Sequence, residues 1–98
     1  MSNAVKEQRS YAVAKCGMTC FICGKPLDPT TMQMAHKIGN TIQNRKKYGD
    51  FVIDHRLNVE MTCSLGCNAR VDISKNPGQC IELCARIYEL EREKYKHN

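Results

Sequence analysis

Two close cysteine pairs constrain this chain more than any other feature. Cys20-Phe-Ile-Cys23 and Cys63-Ser-Leu-Gly-Cys67 stand about forty residues apart in a sequence of 98. A chain this short buries only about two-thirds of its unfolded surface. With no Trp and two Phe, its core is thinner still. Some other staple is expected, whether disulfides, a metal or a partner. The seven cysteines are an odd number, so a fully paired disulfide framework would leave one thiol over. No basic-then-apolar leader opens the sequence, and no run approaches the roughly 18 apolar residues of a membrane span. Close pairing in such a chain favours zinc over disulfide and a reducing, cytoplasmic setting. Zinc takes four thiolates in a tetrahedron, which Cys20, Cys23, Cys63 and Cys67 can supply. The second pair has one residue more than the usual turn, and Gly66 is expected to give it backbone freedom. Cys16, Cys80 and Cys84 are expected to be small core residues.

The pattern along the chain reads as a single α+β domain over 1–98. A helix is expected at 4–16, with Ser2 or Asn3 as cap, Tyr11 joining the inner face and Gly17 as stop. The first cysteine turn follows at 18–25, closed by Gly24, and Asp28-Pro29 marks a turn. Met32, Met34 and His36 alternate with Gln33, Ala35 and Lys37, which predicts a strand over 32–38. Residues 40–50 are polar and basic and read as a loop with at most a helical turn. Phe51-Val52-Ile53 reads as the inward end of that loop or a short strand. A second strand is expected at 59–62, completing a hairpin, and a short helix at 68–73. Asn76-Pro77 reads as cap and first residue of a long helix over about 77–95. Its inner face is expected to carry Ile81, Cys84, Ile87 and Tyr88, with Leu83 and Leu90 beside them.

From Cys20 to Ile73 the chain resembles the HNH nuclease family. The resemblance is carried by CFICG, MQMAHKIG and RLNVEMTCSLGCNARVDI. It implies a zinc-stapled ββα-metal core, covering about 18–75, with flanking helices. It further implies a DNA endonuclease in which His36 is the general base and Asn58 orients its ring. A divalent magnesium or manganese ion would be held by Asn68 from the helix. Many relatives carry Asp before the base, where this chain has Ala35. Asp72, four residues after Asn68, or His55 is expected to complete the ion's shell, with Asp54 a third candidate.

The chemistry supports those roles. Phosphodiester hydrolysis needs a deprotonated water and stabilised charge on the phosphate. A neutral imidazole is a suitable base near pH 7. The formal charge of +5 fits a polyanion such as DNA. Arg45-Lys46-Lys47, with Lys37, Arg56 and Arg70, is the expected phosphate-contacting surface. Double-strand cleavage would need two active sites, hence a homodimer, whereas nicking needs one. Two rivals stand beside this reading. One is the same fold binding DNA or protein without cutting, which Ala35 favours. The other is a zinc ribbon-like structural protein in which His36 is a core residue.

Overall fold

The computed structural model describes residues 3–96, with side chains through 93. Helix α1 (Asn3–Cys16) comes first, then the cysteine turn, then β1 (Gln33–His36). Two short helices follow, α2 (Ile42–Tyr48) and α3 (Asp50–Ile53), and a 3-10 turn at Arg56–Asn58. Strand β2 (Val59–Thr62), α4 (Leu65–Val71) and the long α5 (Pro77–Lys96) complete the chain. The strands form an antiparallel hairpin in which Gln33 pairs with Thr62 and His36 with Val59. Cys63 follows Thr62 directly, so the cysteines lie at one end of the hairpin and His36 at the other.

Local signals explain most boundaries. Asn3 is already helical rather than a cap, and Ser2 lies outside the described residues. Gly17 ends α1 at φ +60, a left-handed conformation that suits glycine. Pro77 opens α5, and Asn76 Oδ1 accepts the Gln79 N–H at 3.1 Å. The first strand is shorter than expected, because Lys37 and Ile38 leave the ladder. Lys37 N–H instead donates to Asn58 O, and Lys37 O accepts from Ile73 N–H.

Three expectations are corrected. Residues 42–48 form a helix with no buried residue. It is held by Thr41, whose hydroxyl accepts the Asn44 N–H, and by Arg45, rather than by an apolar face. Phe51-Val52-Ile53 is helical, with Val52 and Ile53 fully buried and Phe51 outside. The inner face of α5 is Cys80, Leu83, Cys84 and Ile87, whereas Ile81 and Tyr88 are 68% and 50% exposed.

Two apolar clusters build the core. One joins α5 to α3 through Cys80, Leu83, Ile87, Val52, Ile53 and Ile38. The other joins α1, the cysteine turn and β2 through Ala12, Cys20, Leu27, Val59 and Met61. As expected, Cys80 is a core residue, while Cys16 and Cys84 pack at the edges. Burying Gln8 between α1 and the residues after α3 was not legible in the sequence. Its Nε2 donates to Ile53 O and His55 O at 2.9 and 3.0 Å. Among the described residues its buried Oε1 has no partner.

Candidate metal centre and surrounding site

The four paired cysteines converge. Their sulfurs all lie within 4.8 Å of one another, with Cys23 to Cys63 at 3.6 Å and Cys63 to Cys67 at 3.8 Å. Sulfurs bound tetrahedrally at about 2.3 Å from one ion sit about 3.8 Å apart, so this spacing suits a metal such as zinc. Local geometry delivers each sulfur. Gly24, at φ +76, closes the first turn by donating its N–H to Cys20 O at 2.9 Å. Phe21 N–H donates to Met61 O, fixing that turn to β2.

The second pair works differently from the expected loosened turn. Gly66 lies inside α4, and Ser64 caps that helix by accepting the Cys67 N–H at 3.2 Å. The helix start therefore carries Cys67 back toward Cys63, which is why a CxxxC spacing closes. None of the seven cysteines is in a disulfide.

The thiols interact strongly. Burial pushes the Cys20 thiol up. Backbone hydrogen bonds from Cys23, Ile22 and Cys63, with one from the Cys23 side chain, outweigh that and bring it down to about 6. Its hydrogen bond with Cys23 is the main cause that drives the Cys63 thiol up to about 11. A divalent cation binds thiolates and would favour the deprotonated form of all four.

His36 ends β1 and is half-buried. Burial lowers its pKa below 6.5, the nearby Arg45 lowers it further, and Asp54 opposes both. Near pH 7 its imidazole is therefore neutral. Among the described residues the ring has no hydrogen-bond partner.

Asn58 does not hold that ring as expected. It is fully buried, and its side chain serves backbone only. Oδ1 accepts the Ile38 N–H at 2.8 Å, and Nδ2 donates to Ile38 O and Ile53 O at 3.0 and 3.1 Å. It fixes His36 through the chain that follows it.

His55 is buried, and both of its ring nitrogens are engaged within the fold. Its Nδ1 accepts the Leu57 N–H at 3.1 Å, so Nε2 carries the hydrogen facing Glu91 Oε1 at 2.8 Å. Asp72 lies beyond α4 in extended conformation, so it does not share a helix face with Asn68. Its Oδ1 accepts the Ser74 N–H at 2.7 Å. Asp54 is paired with Arg45. Asn68 lies within α4 and donates Nδ2 to Gln33 Oε1 at 3.1 Å, leaving Oδ1 available. Among the described residues, the four cysteines form the only group of three or more His, Cys, Asp or Glu placed to hold a metal. A divalent ion therefore finds no ready acidic shell beside His36.

The basic residues differ in their partners. Arg45 Nη1 and Nη2 pair with Asp50 and Asp54, both at 2.8 Å, and Nε donates to Asn40. Its guanidinium is thus engaged by two carboxylates within the fold. Lys46 and Lys47 are exposed on α2. Arg56 lies over the Tyr11 ring and 3.5 Å from Glu7. Arg70 is exposed on α4. Lys37 pairs at 3.3 Å with Glu60, a buried carboxylate that also pairs with Lys15 at 2.9 Å. Glu60 stands opposite Ala35 in the ladder and was overlooked in the sequence. Its only signal there was an acid inside the apolar run of β2.

No helix among the described residues is long and apolar enough to cross a membrane. No protein-family model matches the chain, and no curated protein or solved structure is detectably similar to it.

Proposed function

We propose that this chain is a small DNA endonuclease of HNH type, stapled by a structural zinc ion on Cys20, Cys23, Cys63 and Cys67. The observation that carries the reading is the hairpin itself. A four-sulfur cluster closes one end of the β1–β2–α4 unit, and His36 stands at the other end as a neutral imidazole. In that role His36 takes a proton from the attacking water. The water oxygen bonds to phosphorus and the leaving oxygen departs. Asn58 keeps the base in place through the Ile38 backbone. Magnesium or manganese is the ion that the resemblance implies. The chain offers it Asn68 Oδ1 but no acidic shell, and the base role of His36 is argued without it.

The test is incubation of supercoiled plasmid with the zinc-loaded protein, with and without magnesium or manganese. Nicked or linear product is expected. A second reading, a DNA-binding module that does not cut, is favoured by Ala35 and by the engaged carboxylates of Asp54 and Asp72. Binding without product under every ion would select it.

A further inference from the structure

A groove of about 450 Å³ opens between the first cysteine turn, the end of α4 and α5. Phe21 forms part of its lining and is 53% exposed. Its floor includes Val71 and Leu83, both buried. Lys37, Arg70 and Arg86 also line it, and the Lys37 Nζ lies 5.6 Å from the Phe21 ring centroid. The lining carries two acids, Asp72 and Glu82, against three cations, of which Lys37 also pairs with Glu60. The groove continues past Phe21, Leu83 and Arg86 into a second cavity of about 290 Å³, where Tyr11 adds another ring and Lys15 a cation paired with Glu60.

An apolar peptide would not call for these cations, and a free phosphate would not call for an exposed ring over an apolar floor. A flat ring beside cations in a groove of this size matches the way single strands are held: bases stack on aromatics while cations track the backbone. We propose that this groove takes an unstacked nucleotide of single-stranded DNA, with its base on Phe21 and its phosphates on Arg70 and Arg86. The proposal rests on the nucleic-acid reading above and names the strand form that the protein binds. Lys37, which immediately follows His36, lines the groove, so the bound strand lies beside the end of β1.

The test is fluorescence anisotropy of a labelled single-stranded DNA oligonucleotide, and of its duplex, across a salt series. The proteins are the zinc-loaded parent and variants Phe21→Ala, Phe21→Tyr, Arg70→Ala, Arg86→Ala and Lys6→Ala. Phe21→Ala is expected to weaken single-strand binding roughly 5- to 150-fold, with Phe21→Tyr restoring it. Arg70→Ala and Arg86→Ala should each lower the log–log salt slope by about 0.7, whereas Lys6→Ala leaves it unchanged. Zinc content and circular dichroism check the fold. If Phe21→Ala loses zinc, Arg86→Ala, on the exposed side of α5, decides. A parent that binds single strands while Phe21→Ala and Arg86→Ala bind them equally well overturns the groove and leaves the nuclease reading intact. So does a parent that binds and cuts duplex but not single strands. A parent that binds neither form overturns both.

Discussion

Asn58 and Ile38 exchange two hydrogen bonds, Ile38 N–H to Asn58 Oδ1 at 2.8 Å and Asn58 Nδ2 to Ile38 O at 3.0 Å. That exchange, with the third bond to Ile53 O, ties the end of β1 to the chain that enters β2. It makes Asn58 a part of the fold rather than a partner of the His36 ring.

Asn58→Ala should therefore unfold more easily. It strands the Ile38 N–H and C=O in the interior, while Ile53 O keeps its bond from Gln8, a loss of about 2–5 kcal/mol. Urea unfolding of the zinc-loaded protein measures it. A loss under about 1 kcal/mol would contradict the clamp.

Metal removal should cost the fold its cysteine end. The sulfurs bring the turn at Cys20–Cys23 to the start of α4, so ligand binding energy is folding energy. Circular dichroism before and after a strong chelator at neutral pH should show a large loss of helix. Verified zinc-free protein with an unchanged spectrum would rule out the staple.

Acid should weaken the fold through His36. Its folded pKa is depressed, first by burial and then by Arg45, so the unfolded chain binds the proton more readily. The stability it contributes is complete above its unfolded value of 6.5 and is lost as pH falls from there through the folded pKa. His36→Gln should remove that part of the pH dependence. Comparing parent and variant by urea unfolding at pH 7.5 and 5.5 isolates it from acid loss of zinc. Parallel losses in the two proteins would contradict the assignment.

The basic run of α2 should split in its behaviour. Lys46→Ala and Lys47→Ala remove exposed charges, and each should lower the duplex DNA salt slope by about 0.9 if it meets a phosphate. Arg45→Ala should mainly destabilise α2 and α3, because its guanidinium joins Asn40, Asp50 and Asp54. A slope change from Arg45→Ala as large as from the lysines, without loss of stability, would show that its charge is free after all.

How far the sequence could be read depends on where each residue finds its partners. The β2 limits, the Asn76-Pro77 start of α5 and the cysteine turn with Gly24 were legible because their signals lie within a few residues. Helix α2 was not, because Thr41 and ion pairs hold it and its only large apolar residue at the start, Ile42, is exposed. The α5 face was misplaced by one position, since apolar residues occur on both sides and only tertiary packing selects Cys80, Leu83 and Ile87. His55 and Asn58 belonged to the motif by position, yet their roles come from Glu91 and Ile38, 36 and 20 residues away. Asp72 does not share the helix face of Asn68 because α4 ends at Val71.

The most direct measurement is the single-turnover rate of plasmid cleavage by His36→Ala beside the parent, both zinc-loaded and both folded by circular dichroism. A single general base contributes about 100- to 10,000-fold, so the variant should be slower by that factor, with free imidazole restoring part of the rate. A folded His36→Ala that cuts as fast as the parent would contradict the assignment of the base.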